Sequence, residues 1–160
     1  MAQEIEYKFL VKGNFRPFVT GKHEIKQAYL SANPKRTVRI RIQDDKAFIN
    51  IKGSAKASGL KRFEWEKEIP VEDARELMEL RESGLVEKTR YLVPANDGLK
   101  FEIDEFHGDN EGLLLAEIEL PSEDTPFERP EWLGEDVTGI PSFYSSELSK
   151  NPYKNWKEIS

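Results

Sequence analysis

Residues 36–43 read Arg36-Thr37-Val38-Arg39-Ile40-Arg41-Ile42-Gln43. Arginine alternates with branched aliphatic residues at period two. An extended chain therefore puts Arg39 and Arg41 on one side and Val38, Ile40 and Ile42 on the other. This pattern predicts a strand with one charged and one apolar face. It recurs in both directions along the chain. Residues 3–10 set Glu4, Glu6 and Lys8 against Ile5, Tyr7 and Phe9, and residues 23–31 form a second predicted strand before the Asn33-Pro34 turn. After the Asp44-Asp45 hairpin tip, residues 46–53 set Lys52 against Ile49 and Ile51, and residues 60–69 set Arg62, Glu64 and Glu66 against Phe63, Trp65 and Ile69. Three further strands fit residues 85–93 (Lys88, Arg90), 99–106 (Glu102 and Asp104 against Phe101 and Ile103) and 113–120 (Glu117 and Glu119 against Ala116, Ile118 and Leu120).

The segments between the strands carry turn and helix signals. Residues 13–21 read as a short helix or turn broken by Pro17, and 53–59 as a small polar loop flanked by Lys56 and Lys61. Pro70 opens a predicted helix to about Arg81, with Val71, Ala74, Leu77, Met78 and Leu80 on its apolar side. Residues 126–135 and 141–150 are expected to form short helices, and the tail with Tyr153 and Trp156 is expected to dock. No repeat or linker interrupts residues 1–160, so one domain is expected. Eight strands in nearly sequential order, with few helices, give a mainly β (α+β) fold. The expected form is an antiparallel sheet or barrel with helices packed outside.

Composition narrows the function. With 24 Lys plus Arg against 30 Asp plus Glu, the net charge of −6 is opposite to that of a general nucleic-acid binder. Seventeen aromatic residues (nine Phe, five Tyr and three Trp) argue for a packed domain rather than a disordered one. The absence of cysteine excludes disulfides and thiolate metal sites. His23 and His107 alone make a histidine-rich zinc centre a poor fit, and both are read as surface residues. No stretch of 18 apolar residues is present, and the first ten residues lack an apolar signal core, so a cytoplasmic protein without a membrane partner is expected.

The charged faces form a pattern of their own. They carry two or three charges at i, i+2, with almost no Ser, Thr or Gln, and acidic and basic strands are segregated. Turned inward in a closed sheet, they would line a hydrated tunnel with about seven cations and eight carboxylates. Such a lumen is costly without a charged ligand. A polyphosphate with a divalent cation satisfies both signs, since Arg and Lys hold phosphate oxygens and clustered carboxylates hold Mg²⁺ or Mn²⁺. Glu4/Glu6 and Glu117/Glu119 each place two carboxylates on one face about 7 Å apart. No GxxxxGK[ST] loop occurs, which excludes a P-loop enzyme.

Glu4-Ile-Glu6-Tyr-Lys8 resembles the ExExK signature of the CYTH superfamily, the triphosphate tunnel metalloenzymes. The resemblance extends over nearly the whole chain. It continues through Gln27-Ala-Tyr29-Leu30, Val38-Arg39-Ile-Arg41, Ile51-Lys52-Gly53 and Arg62-Phe-Glu64-Trp-Glu66, then Lys88-Thr-Arg90, Glu102-Ile-Asp104 and Ala116-Glu117-Ile-Glu119. It implies an eight-stranded antiparallel barrel whose members act on inorganic triphosphate, thiamine triphosphate, RNA 5′ ends or ATP with a divalent metal. It also implies a triphosphate clamp of Lys8, Arg39, Arg41, Lys52, Arg62, Lys88 and Arg90. The implied metal and water ligands are Glu4, Glu6, Glu64, Glu66, Asp104, Glu117 and Glu119, and Tyr29 would act with Lys8 in catalysis. The leading expectation is Mg²⁺- or Mn²⁺-dependent hydrolysis of triphosphate to pyrophosphate and phosphate by a monomer or homodimer. Adenylate cyclase, thiamine triphosphatase and a non-catalytic polyphosphate or nucleotide binder are the alternatives.

Overall fold

The computed structural model describes residues 5–55 and 62–156. The expectations for Glu4, Lys56 and Lys61 lie outside them, and Arg62 is placed by its backbone alone. The eight expected strands are present: β1 (Ile5–Val11), β2 (Gly21–Asn33), β3 (Arg36–Gln43), β4 (Lys46–Ala55), β5 (Arg62–Ile69), β6 (Val86–Pro94), β7 (Lys100–His107) and β8 (Leu114–Leu120). A ninth, β9 (Leu133–Asp136), adds to them. Helix α1 spans Val71–Met78 and α2 spans Ser145–Lys150. All the strands share one antiparallel sheet, ordered β5-β4-β3-β2-β6-β7-β8-β1-β9. Backbone hydrogen bonds among the described residues do not close it into a ring, so β5 and β9 are its edges.

The sheet is nevertheless strongly curled. Lys52 on β4 acts electrostatically on Glu6 of β1, and Asp104 of β7 acts on Arg41 of β3. In the strand order β4 and β1 stand six places apart, which in a flat sheet would separate them by about 29 Å. Only a concave sheet brings their side chains within range of each other.

The convex face holds most of the apolar core. Phe9, Phe101, Ile103, Ala116 and Ile118 pack there with Phe15 and Trp132, the Phe101 and Trp132 rings meeting edge to face at 5.0 Å. Across the same sheet, Ala28, Ile40 and Ala47 receive Ala74 and Met78 from α1. The helix is shorter than the expected 70–81 because its last turn tightens: the Leu80 and Arg81 amides reach back only three residues, to Leu77 and Met78.

Two segments depart from expectation. Residues 126–135 form no helix. Pro126 and Pro130 remove amide donors, and the open edge of β1 provides a pairing partner instead. The Lys12 amide donates to the Trp132 carbonyl at 2.9 Å, and Leu133 lies opposite Val11. Gly134 crosses so close to β1 that a Cβ there would sit 2.7 Å from the Leu10 carbonyl oxygen, which makes glycine a requirement.

Residues 141–150 do turn helical, as a Pro141–Phe143 turn followed by α2, but they do not cover the convex face. Leu148 and Phe143 pack with Leu10, Val86, Phe106, Leu113 and Leu115. By register Leu10, Val86, Phe106 and Leu115 belong to the concave face, in phase with Lys8, Lys88, Asp104 and Glu117. The helix therefore fills one end of the concavity. The tail docks as expected: Asn110 Oδ1 accepts the Tyr153 amide at 2.8 Å, and Phe143 meets Trp156 edge to face at 5.3 Å.

Candidate active site

The expected charged residues with described side chains share the concave face. Strand pairing aligns Glu6 with Glu119, Lys8 with Glu117, Glu117 with Glu102, Asp104 with Arg90, Arg39 with Tyr29 and Asn50, and Lys52 with Glu64. The face divides into two electrostatic regions.

On β6, β7 and β8 the charges are matched. Asp104 is buried, with Lys88 Nζ 2.8 Å from its Oδ2, and Arg90 donates to it from Nε at 2.8 Å and from Nη2 at 3.0 Å. Arg90 also donates to Glu102 at 3.4 Å, and Glu117 lies 3.9 Å from Arg90 and 3.5 Å from Lys8 Nζ. Burial alone would raise the Asp104 carboxyl, but Lys88 and Arg90 outweigh it and hold the group well below the usual carboxylate range. Burial opposes charge on Arg90 as well, yet Asp104, Glu117 and Glu102 make its guanidinium harder to deprotonate than usual. Lys88 is balanced differently. Burial, against the pull of Asp104 and with the push of Arg90 and Arg41, lowers it to about 8.

On β2 and β3 the cations have neutral neighbours. Arg41 Nε donates to the amide oxygen of buried Gln27 at 2.7 Å. Burial first, then Arg39 and Arg90, push the Arg41 guanidinium down to about 9. Two buried donors, Gln27 Nε2 and Arg39 Nε, have no hydrogen-bond partner among the described residues. Tyr29 is buried beside Arg39 in the pairing. At the β4–β5 edge, Lys52 Nζ lies 3.9 Å from Glu64, and Asn50 donates to Glu66 at 3.1 Å.

At the β1–β8 seam the surplus is negative. Glu6 is open to solvent along the concavity, yet the curled walls strip much of its hydration. Burial, then the charge of Glu117, raise its carboxyl, while Lys8, Arg90 and Lys52 pull it down. Two carboxylates that repel across one strand pair are a donor set suited to a hard cation. Among the described residues no three acidic or histidine side chains converge on one point.

Lys8 itself points toward the segment that fills the end of the face. Its ammonium donates to the Phe143 carbonyl at 3.3 Å and stands 5.4 Å over the Tyr144 ring. That contact has no sequence signal, because it joins residues about 135 positions apart. Asn50 was legible in principle, being in phase with Lys52, and Gln27 is in phase with Tyr29 but opposite to the charged Lys22, Glu24 and Lys26 of its own strand. A search keyed to charge passes over them. His23 pairs with Asp44 at 2.6 Å and His107 with Thr89 at 2.8 Å, and neither joins the charged cluster.

The CYTH domain family model matches residues 2–151. The chain belongs to the CYTH family. An inorganic triphosphatase of Acetivibrio thermocellus is 43% identical over 159 residues, covering 99% of this chain and all of that protein. One from Nitrosomonas europaea is 38% identical over 138 residues, 84% of this chain and 89% of its own. The crystal structure of the inorganic triphosphatase NE1496 superposes with a TM-score of 0.68 at 34% identity, over 93% of this chain and 95% of that one. A Hippeastrum protein, HpAC1, shares the fold at 18% identity with a TM-score of 0.56, over 75% of this chain and 80% of its own. The charged concave face is thus the CYTH tunnel wall of this chain.

Proposed function

We propose that this CYTH protein is a divalent-metal-dependent inorganic triphosphatase. The observation that carries the reading is the division of one concave face into unmatched cations on β2–β3, crowded carboxylates on β1–β8 and a matched cluster between them. A linear polyanion accompanied by a cation complements all three. The naming of relatives at 43% and 38% identity as inorganic triphosphatases supports the same reading.

In this reading Arg39, Arg41, Lys52, Arg62, Lys88 and Arg90 bind the phosphoryl groups in a row and set their orientation. Charge-assisted hydrogen bonds from a fixed framework supply most of what phosphoryl transfer needs. A water oxygen forms a bond to a terminal phosphorus while the bond from that phosphorus to the bridging oxygen breaks. Pyrophosphate leaves with the electron pair, and phosphate is the second product. Lys8 and Tyr29 are the proposed catalytic pair, an ammonium and a phenol hydroxyl able to donate to oxygens that gain charge. Glu6, Glu117 and Glu119, with Glu4, would hold Mg²⁺ or Mn²⁺, and Glu64, Glu66 and Asp104 would order ligands or water nearby. When bound, such a cation neutralises phosphoryl charge and makes its water more acidic. Asp104 acts chiefly through Lys88 and Arg90, which take both its oxygens. The protein is proposed to act in the cytoplasm as a monomer or homodimer, with neither a membrane nor a nucleic-acid partner.

The test is turnover of triphosphate, ATP and thiamine triphosphate by purified protein with Mg²⁺ or Mn²⁺, with products identified. Triphosphate should have by far the highest kcat/KM, yielding pyrophosphate and phosphate. Efficient formation of cyclic AMP from ATP would replace this reading with a cyclase.

A further inference from the structure

Two arginines in this face, Arg90 and the half-buried Arg41, are held in chemically different ways. Arg90 is gripped by a carboxylate, Asp104, which fixes its geometry and cancels its charge together. Arg41 is gripped by a carboxamide, Gln27, through a single 2.7 Å bond to Nε. A neutral acceptor can orient a guanidinium without neutralising it. It also occupies only Nε, and the two terminal nitrogens that form the fork best suited to a phosphoryl group remain outside the bond. Gln27 has no exposed surface, so its side chain is set by packing rather than by solvent. Its own amide nitrogen lacks an acceptor, and so does Arg39 Nε on the paired strand. Buried donors without partners are rare in native folds, because each costs its full desolvation. Two of them on neighbouring strands of one concave face mark a place where oxygen atoms of a ligand belong.

We propose that Gln27 is a positioning residue for polyphosphate recognition, orienting Arg41 while leaving its positive charge uncancelled for the bound anion. The proposal rests on the reading of this face as a triphosphate cradle and deepens it. It explains why an uncharged residue stands at a fully buried point among cations. A glutamate would orient Arg41 equally well, but it would turn a binding cation into an internal ion pair like that of Arg90.

The test compares wild type, Gln27→Glu and Gln27→Met. Glutamate is nearly isosteric and keeps the acceptor while adding a negative charge. Methionine keeps the volume, removes the acceptor and adds no charge. Binding is read by titrating triphosphate with Ca²⁺, used as a probe metal, and turnover by kcat and KM with Mg²⁺. For Gln27→Glu, Kd and KM for triphosphate should rise on the order of tenfold or more, as expected for a charged hydrogen bond lost to an internal partner. Its melting temperature without ligand should equal or exceed that of wild type, and the rise on adding triphosphate should shrink. Gln27→Met should raise KM by a smaller factor, with kcat changed less than KM in both variants. A purely structural role would instead lower the ligand-free melting temperature of both variants and leave Kd unchanged, and that outcome overturns the proposal. Unchanged Kd in a stable Gln27→Glu protein overturns it as well. Failure of wild type itself to bind triphosphate would overturn the functional reading beneath it, which separates the two.

Discussion

Arg90 and Arg41 lie on the same concave face and face opposite problems. Arg90 belongs to a cluster in which Asp104, Glu102 and Glu117 supply counter-charge inside the protein. Arg41 lies among Arg39, Gln27 and Tyr29, where no carboxylate among the described residues bonds to it and Asp104 acts on it only from a distance. The first arrangement carries its own counter-charge, so it stiffens the wall in addition to any donors it offers a ligand. The second leaves Gln27 Nε2 and Arg39 Nε without partners among the described residues, as the proposed role in holding a ligand requires. A list of conspicuous charges cannot make this distinction, because both regions supply arginines in strand alternation. The partner across the ladder decides the role.

The largest way to break the comparison is to uncouple the matched cluster. Asp104→Asn leaves Lys88 and Arg90 buried without their main counter-charge, and removal of one member of a buried pair costs about 3–5 kcal/mol. Denaturant unfolding should show that loss. Arg41→Met, which keeps the apolar stem, should cost less, about 1–3 kcal/mol for the buried Gln27 oxygen left without its donor. Equal losses at the two positions would erase the distinction between the regions.

Next in size is the negative seam. Glu6→Gln and Glu119→Gln should each lower metal-dependent kcat at least a hundredfold, about 2.7 kcal/mol. Neither should lower stability by more than a surface change does, and Glu6→Gln should leave it equal or raised, since burial and Glu117 already disfavour its charge. Normal turnover at saturating Mg²⁺ in both variants would move the metal site elsewhere.

A smaller effect is expected at the unmatched cations. Arg39→Ala or Arg41→Met should weaken triphosphate binding by about 1.5–3 kcal/mol through lost charged hydrogen bonds. Monophosphate should bind wild type weakly, because it cannot span the row. If phosphate and triphosphate raised the melting temperature equally, the row would be acting as a surface anion site.

The finest test uses protons. Lys88 ordinarily titrates at 10.5 and is lowered to about 8, and Arg41 is lowered to about 9. Between about pH 8 and 10.5 the unfolded chain therefore binds more protons at Lys88 than the folded one does. The ligand-free fold should gain stability as pH rises through that window, relative to Lys88→Met, and the contribution is lost below it. A bound polyanion favours the charged lysine, so binding near pH 8–9 should take up a fraction of a proton. Calorimetric titrations in buffers of different ionisation enthalpy would measure it, and zero uptake would show that Lys88 does not sense the ligand.

Much of the architecture was legible because it rests on period two. Arg39 and Arg41 on one face, with Val38 and Ile40 on the other, follow from backbone geometry alone. Eight strands and the shared charged face came from that rule. The misread segments are governed by distant contacts. Residues 126–135 became extended because β1 had an open edge, and no local pattern reveals an edge. Helix α2 filled the end of the concavity because Leu10, Val86, Phe106 and Leu115 form an apolar patch only after four strands are aligned in register. In the site, the charged residues came from strand alternation and Tyr29 from the resemblance, whereas Gln27 and Asn50 were assigned no role. Gln27 carries information through what it fails to cancel, which is invisible until its partner is known.

The unjoined edges of the sheet have a mechanical consequence. In a ring of strands closed by hydrogen bonds, strand number and stagger fix the diameter. Here β5 and β9 end the ladder, so the bore has no covalent or hydrogen-bonded hoop among the described residues. Its width is instead a balance of forces across the gap, with like charges spreading the wall and opposite charges drawing it in. The calibre of the channel then becomes a thermodynamic variable, responsive to ionic strength and to whatever ions it holds.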